Sequence, residues 1–194
     1  MVKKLKIYLF RHGQTTFNRD KKFTGFKDAR LTALGKRQAR IITNKLKRKQ
    51  FEVALYTRLE RSKQTLQPVL KFHPECKKLI KDDRMIERSY GALSGKKHSV
   101  IIKKHGLEKF NCWHRGFNCR PPGGESFADV EKRVKKFIVW LKKFMKKEQV
   151  SVAISAHGNS IRLFRRVWEG LSVKETESMF VPYDWVFVYS VPIS

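Results

Sequence analysis

Two short apolar runs of this sequence end in the same way, on a histidine followed by a glycine. Residues 7–10 (IYLF) are followed by Arg11 and His12, and residues 152–155 (VAIS) are followed by Ala156 and His157. Short apolar runs rich in β-branched residues and bounded by glycine predict buried strands. Because ligands of open α/β sheets bind beyond the carboxyl ends of the strands, both imidazoles are expected at one edge of a sheet. The alternative is that each histidine is an ordinary loop residue.

Strand-like and helix-like patterns alternate along the chain, which predicts an α/β fold. Strands are predicted at residues 5–10, 51–57, 149–155 and 184–191. Helices are predicted after Thr32, at 59–70 up to its proline, before Gly106, after Ser126 and at 159–168. Residues 73–96 are expected to be mostly loop and residues 111–125 irregular. No repeat or linker divides the sequence, so residues 1–194 are expected to form a single domain.

The helix predicted after Thr32 has an apolar stripe. Thr32 is a suitable N-cap, and the stripe comprises Leu34, Ile41, Ile42 and Leu46. These four side chains are expected to face the core.

Charge and cysteine usage restrict the class of partner and the compartment. The chain has 44 Lys and Arg against 17 Asp and Glu, a formal net charge of +27, so an anionic partner is expected. Its three cysteines are odd in number and lack a Cys-x-x-Cys pair, which favours reduced thiols and a cytoplasmic protein over a disulfide framework or a zinc site. No segment approaches the ~18 apolar residues of a membrane span, so no membrane partner is expected.

Phosphoryl transfer suits the residues around the first His-Gly pair. A neutral imidazole is a nucleophile that can carry a covalent intermediate, and Arg11 directly precedes His12. Arginine forks match phosphate oxygens, and the stretch TRLERSKQT offers Arg58 or Arg61 as a second one. A general acid must protonate the leaving oxygen, and Glu87 in MIERSYGALSG is a candidate. No metal is expected, since arginines and imidazoles supply positive charge.

Four stretches in order resemble the histidine phosphatase superfamily: RHGQTTFNRDKKFTGF, TRLER, ERSYGALSG and ISAHGNSIR. Within it, FTGF and ERSYGAL are similar to the 2,3-bisphosphoglycerate-dependent phosphoglycerate mutases. The resemblance covers about residues 5–189. It implies a three-layer phosphoglycerate mutase-like fold, in which helices flank a mostly parallel central sheet.

The resemblance also implies roles for individual residues. His12 corresponds to the nucleophile and Glu87 to the proton donor and acceptor, while Arg11, Arg61 and His157 hold the transferring phosphoryl group. The Ser/Thr-x-Leu-x-Arg pattern of the family falls on TRLER and selects Arg61. The remaining residues implied to bind phosphate or substrate are Asn18, Thr24, Gly25, Arg88, Tyr90, Gly158 and Asn159.

The sequence departs from the mutase pattern where the family holds the far anionic end of the substrate. A family lysine is replaced by His98, with Lys97 beside it, and an Arg-Arg pair is replaced by His114 and Arg115. Either the two histidines bind the substrate as imidazolium ions, or Lys97 has taken over that role. The stretch after the double proline is also shorter than in the family. Each change makes the pocket weaker or more accessible to water.

Three hypotheses of function follow. The first is a phosphoglycerate mutase that interconverts 3-phosphoglycerate and 2-phosphoglycerate, primed by 2,3-bisphosphoglycerate as its cofactor. The second is a phosphatase of small phosphorylated metabolites, because water that reaches a phosphohistidine would hydrolyse it. The third, a basic nucleic-acid-binding protein on this fold, lacks a recognition motif. The expected partner is a small phosphorylated carboxylic acid, with no specific nucleic acid; a homodimer is left open.

Overall fold

The computed structural model describes residues 4–193, which form a five-stranded sheet flanked by eight α-helices. The strands are β1 Lys4–Arg11, β2 Val53–Tyr56, β3 Lys78–Lys81, β4 Val152–Ala156 and β5 Val186–Pro192. The helices are α1 Thr16–Arg19, α2 Ala33–Leu46, α3 Glu60–Leu70, α4 His98–His105, α5 Leu107–Arg115, α6 Phe127–Glu148, α7 Gly158–Glu169 and α8 Val173–Ser178. No helix within residues 4–193 is long and apolar enough to cross a membrane.

The strand order is β3-β2-β4-β1-β5, and only β5 runs antiparallel to its neighbour. This confirms the predicted α/β fold with a mostly parallel central sheet. Strands β1 and β4 are adjacent and parallel, with Arg11 paired to Ala156. The backbone N–H of His12 then donates to the carbonyl of Ala156 at 3.1 Å. The residues that follow the two strands, His12 and His157, therefore emerge side by side at one edge.

The three layers follow from the alternation of side chains along β1. Leu5, Ile7 and Leu9 point to a core formed with α6 and α7, where Phe137 and Phe164 are fully buried. The intervening side chains point to the opposite face and pack against α2 and α3: Tyr8 and Phe10. Both faces of the sheet are thus covered, as in other largely parallel sheets.

The glycine of the Arg-His-Gly sequence is required by packing. A Cβ atom at Gly13 would overlap the backbone of Gly35 in the first turn of α2. Thr32 caps this turn by accepting a hydrogen bond from the N–H of Gly35 at 3.0 Å. The N-terminus of α2 therefore supports the loop that carries His12.

The apolar stripe predicted for α2 is wrong at two of its four positions. Ile42 and Leu46 are buried, but Leu34 and Ile41 are each 40% exposed. The buried face of α2 instead includes the small residues Gly35 and Ala39. Close packing of the first turn of α2 on the His12 loop selects glycine at position 35, which a count of large apolar residues does not detect.

Two segments expected to be irregular contain regular structure. Residues 73–96 include β3 and two short 3₁₀ turns, and residues 111–125 begin inside α5. Strand β3 is a largely exposed edge strand, so it lacks the alternation that marks a half-buried strand. Helix α5 buries only Phe110 and Trp113, too few positions for a visible period. Helix α3 also continues two residues past Pro68.

The expectation of three reduced thiols is wrong for two of them. Cys112 on α5 and Cys119 after it form a disulfide, and their Cα atoms are 5.5 Å apart. The chain reverses at Gly116, the C-cap of α5, which brings Cys119 back to the helix end. The odd number of cysteines in the sequence could not reveal a disulfide that depends on this local chain reversal. Cys76 is a free thiol.

Candidate active site

His12 is buried and held in one orientation by hydrogen bonds at both ring nitrogens. Its Nδ1 lies 2.8 Å from the carbonyl oxygen of Gly13, to which it donates. Its Nε2 accepts a hydrogen bond from Nε of Arg61 at 3.2 Å. Burial lowers the pKa of His12 well below 6.5, and the charges of Arg61 and Arg11 lower it further. The ring is thus a neutral imidazole whose Nε2 carries the nucleophilic lone pair.

His157 faces His12 across the end of the sheet. Their ring centroids are 5.0 Å apart, and Nε2 of His157 lies 2.7 Å from the hydroxyl oxygen of Thr57. Burial is also the main cause that lowers the pKa of His157, followed by the charge of Arg61. An anion bound between the two rings would oppose this shift and favour a protonated His157. Thr57 follows β2, and the sequence analysis did not identify it.

Arg61 is fixed in the first turns of α3 beside both histidines. Its side chain is fully buried, and its two terminal nitrogens donate to the carbonyls of Lys27 (2.9 Å) and Gly25 (2.8 Å). Burial lowers the pKa of Arg61 to about 10, so it keeps its charge at neutral pH. Arg58, the other candidate, is exposed and pairs with Asp83 at 2.9 Å.

Glu87 approaches the two histidines from the loop before the second 3₁₀ turn. One of its carboxylate oxygens, Oε1, accepts from the backbone N–H groups of Arg88 (2.7 Å) and Asn159 (3.2 Å). A side-chain oxygen of Glu87 and one ring nitrogen from each histidine lie within 4.8 Å of one another. This distance allows a reacting group bound at His12 to reach the carboxyl of Glu87.

The trio of His12, Glu87 and His157 could also supply three metal ligands. Two features of its surroundings favour an anion instead. The Nε2 lone pair of His12 is already used by Arg61, and the guanidinium groups of Arg11 and Arg61 depress the pKa values of both histidines. The same positive potential that stabilises neutral imidazole repels a metal cation and attracts phosphate.

A cavity of about 220 Å³ opens beside this cluster and is lined by Arg11 and Glu87, whereas the buried His12, Arg61 and His157 are not among its lining residues. Its lining residues are Arg11, Asn18, Lys22, Phe23, Thr24, Glu87, Tyr90, His98, His114, Arg115, Gly158, Asn159, Arg162, Phe180, Val181 and Tyr183. Four of the lining side chains are cationic by type and one is a carboxylate, so the cavity is suited to an anionic ligand.

Most of the sequence-predicted binding residues lie on this cavity, but three do not. Among residues 4–193 the lining does not include Gly25, Arg88 or Lys97. The guanidinium of Arg88 is fully buried elsewhere and donates to the carbonyls of His114, Cys119 and Glu125, which occupies all three of its nitrogens. Lys97 is exposed at the N-terminus of α4, so its ammonium group remains in water.

His98 and His114 do line the cavity, inside a cluster of aromatic rings. Their ring centroids are 5.0 Å apart, and both rings pack against Phe23 and Phe110. Burial is the main cause that lowers the pKa of His98, and it lowers that of His114 to about 3. Without a bound anion both imidazoles are therefore neutral, in contrast to the imidazolium ions considered from the sequence.

Sequence reasoning missed several lining residues that come from distant parts of the chain: Lys22, Arg162, Phe180, Val181 and Tyr183. Arg162 lies one helical turn after Asn159, to which it donates a hydrogen bond, so its position within ISAHGNSIR was a usable signal. The segment that holds Val181 and Tyr183 has no such motif.

The fold and the paired histidines define a member of the histidine phosphatase superfamily (branch 1), whose family model matches residues 7–188. The chain belongs to this superfamily, which confirms the resemblance carried by the four motifs. A 2,3-bisphosphoglycerate-dependent phosphoglycerate mutase of Bartonella henselae is 34% identical over 188 residues, which cover 95% of this chain and 91% of that protein.

Solved structures with the same fold include phosphatases. The alpha-ribazole phosphatase of Shigella flexneri superposes with a TM-score of 0.82 at 21% identity, covering 97% of this chain and 94% of that one. A mycobacterial glucosyl-3-phosphoglycerate phosphatase superposes with a TM-score of 0.79 at 23% identity, covering 92% of this chain and 85% of that one. At these identities the likeness establishes the fold alone.

Proposed function

We propose that this enzyme is a phosphoglycerate mutase that interconverts 3-phosphoglycerate and 2-phosphoglycerate through a phosphoryl group on His12. The cavity carries the proposal: it is small, about 220 Å³, and contains four cationic side chains around one buried carboxylate. A three-carbon acid with a phosphate and a carboxylate needs such a space. The mutase at 34% identity supports the same activity. We also propose that residues 1–194 act as one domain, since β5 pairs with β1.

The first chemical step uses the neutral ring of His12. Its Nε2 attacks the phosphorus, the P–O bond to the substrate alcohol breaks, and the leaving oxygen takes a proton from Glu87. Charge that develops on the phosphoryl oxygens is stabilised by the guanidinium groups of Arg11 and Arg61 and by His157 once it is protonated. Nε of Arg61 donates to Nε2 of His12 in the free enzyme, so this hydrogen bond has to break and the N–H has to turn to a phosphoryl oxygen as Nε2 attacks.

In the second step the phosphoryl group passes from His12 to the free hydroxyl of a bound monophosphoglycerate. Glu87 takes the proton of that hydroxyl as the new O–P bond forms and the bond to His12 breaks. His12 then takes the other phosphoryl group of the resulting bisphosphoglycerate by a repeat of the first step. When bound, 2,3-bisphosphoglycerate would supply the first phosphoryl group, held by the cavity cations Arg11, Lys22 and Arg115. The cavity must retain the acid between the two steps and exclude water.

A second candidate function is hydrolysis of small phosphate monoesters, and one observation favours it. At the far end of the cavity His98 and His114 have lowered pKa values, and Lys97 is exposed outside it. Arg115 therefore has fewer cationic neighbours for the carboxylate of a phosphoglycerate than the mutase pattern provides. A substrate that leaves early would let water take the phosphoryl group.

One assay separates the two functions. The enzyme is incubated with 3-phosphoglycerate, with and without catalytic 2,3-bisphosphoglycerate, and 2-phosphoglycerate and free phosphate are measured together. A mutase forms 2-phosphoglycerate faster when primed, with little free phosphate. Formation of free phosphate alone, at a rate independent of the primer, would overturn the mutase proposal in favour of the phosphatase.

A further inference from the structure

Three arginines of the cavity, from three different elements, converge on one short segment. Residues 177–183, which we call the clamp segment, begin with the last two residues of α8 and continue into the irregular stretch before β5. Arg115 on α5 donates to the carbonyls of Glu177 (3.0 Å) and Met179 (3.3 Å). Arg162 on α7 donates to the carbonyl of Met179 at 2.7 Å. The clamp segment thus fixes cationic side chains that come from separate parts of the sequence.

Arg11, the residue next to the nucleophile, contacts this segment through both a carbonyl and an aromatic ring. Its Nη1 donates to the carbonyl of Val181 at 2.9 Å, and its guanidinium carbon lies 3.8 Å from the centroid of the Tyr183 ring. The guanidinium also packs against Gly158, where a Cβ atom would lie 3.3 Å from the guanidinium carbon. Arg11 is therefore restrained by the aromatic ring, by the backbone of α7 and by a carbonyl.

Nε of Arg11 remains available: it is buried and has no hydrogen-bond partner among residues 4–193. A buried donor without an acceptor is costly unless a ligand satisfies it. Since Arg11 and Gly158 both line the cavity, an acceptor oxygen of a bound phosphate can reach this side chain.

We propose that Tyr183 is a positioning residue, whose ring holds the guanidinium of Arg11 in the orientation that receives the transferring phosphoryl group. This inference rests on the proposed function, because it assigns phosphate to the cavity beside His12. An aromatic ring can do this where an aliphatic side chain cannot, since its π face attracts the cation and lies flat against it. The phenolic hydroxyl is not needed for that contact.

The test compares two substitutions at this position with a matched control. Tyr183→Phe keeps the ring, whereas Tyr183→Leu removes it. The control is Trp185→Leu: Trp185 is exposed, and Lys45 lies 4.5 Å from its ring outside the cavity, so this change also removes a cation–π contact. Binding of inorganic phosphate is measured by calorimetry, and kcat and KM are measured with p-nitrophenyl phosphate. Melting temperatures are recorded for every variant.

Tyr183→Leu is expected to weaken phosphate binding about tenfold, a value between those of an exposed and a desolvated cation–π contact, and to lower kcat as well. Tyr183→Phe should restore both to within about twofold, and Trp185→Leu should change neither. Equal phosphate affinity of Tyr183→Leu and the wild type would overturn the inference, as would failure of Tyr183→Phe to rescue. An absence of phosphate binding in the wild type would also overturn it. The proposed mutase activity is tested by a different measurement, the ratio of 2-phosphoglycerate to free phosphate, so the two proposals can fail independently.

Discussion

Nε of Arg61 donates a hydrogen bond to Nε2 of His12 across 3.2 Å. A guanidinium has protons to give and no lone pair to offer, so this contact assigns the lone pair of the imidazole to Nε2. The carbonyl of Gly13 accepts at the opposite nitrogen and completes the assignment. The ring is therefore set in its nucleophilic tautomer before any substrate binds, and the chemistry requires no preceding proton transfer.

This arrangement predicts that His12 does not titrate near the ordinary histidine pKa of ~6.5. Because burial and two arginines lower its pKa, the neutral ring should persist well below pH 6.5. Arg61→Met should let the pKa of His12 rise. NMR spectra of the ring nitrogens between pH 5.5 and 8 check both statements. A wild-type His12 with a titration midpoint between 6 and 7 would contradict the account.

Glu87→Gln should slow the reaction of substrates with a basic leaving group much more than that of substrates with a weakly basic one. Loss of general acid–base catalysis should slow transfer between His12 and an alcohol oxygen by ~10²–10⁴. The p-nitrophenolate of p-nitrophenyl phosphate leaves without a proton, so its release should be affected much less. Steady-state rates with both substrates measure the difference. Equal losses on the two would show that Glu87 does not act as the proton donor.

Restoring charge at the far end of the cavity should shift the enzyme towards mutase activity. His98→Lys together with His114→Arg replaces two neutral rings with cations, and KM for 3-phosphoglycerate at pH 8 should fall by about tenfold, or 1.4 kcal/mol. The ratio of 2-phosphoglycerate to free phosphate should rise as well.

Lys97→Ala is the matched control for this prediction, because Lys97 is exposed and lies outside the cavity. Its KM should equal that of the wild type. A large rise of KM in Lys97→Ala, with no change in the double variant, would show that Lys97 binds the substrate in place of the two histidines.

Stability should fall in acid partly because of His114. Its pKa in the folded state is about 3, while that of an unfolded histidine is ~6.5, so the unfolded chain binds the extra proton first as the pH falls. The contribution of His114 is complete above pH 6.5 and is lost progressively down to about pH 3.

His114→Phe keeps an aromatic ring in the cluster without a titrating group. The free energy of unfolding is measured with urea at pH 4.5, 5.5, 6.5 and 7.5. Below pH 6.5 it should fall less steeply with decreasing pH in this variant than in the wild type, by at most about 1.4 kcal/mol per pH unit. Identical slopes for the two proteins would show that His114 is not buried in the neutral form.

The pairing of His12 with His157 was predictable because both residues occupy local patterns that topology brings together. His12 and His157 each follow an apolar strand, and parallel pairing of adjacent strands places them at one edge. Thr57 was not predictable in this way, since nothing near it marks its contact with His157.

The wall of the cavity was less predictable, because it depends on the packing of irregular segments. Tyr183 contacts Arg11, although the two residues are 172 positions apart in the sequence. No local sequence pattern predicts that contact. Arg88 sits in a motif that resembles a substrate-binding loop, but its guanidinium satisfies three backbone carbonyls instead. A motif can identify a loop without fixing the direction of each side chain in it.

The central claim is that His12 carries the phosphoryl group, and mass spectrometry after brief reaction with 2,3-bisphosphoglycerate tests it most directly. The enzyme is quenched in alkali, because phosphohistidine is labile in acid, and then digested and mapped. The account predicts a phosphoryl group on the peptide that contains His12, its loss on acid treatment, and no labelling in His12→Ala. A phosphoryl group on any other residue, or equal labelling of His12→Ala, would contradict it.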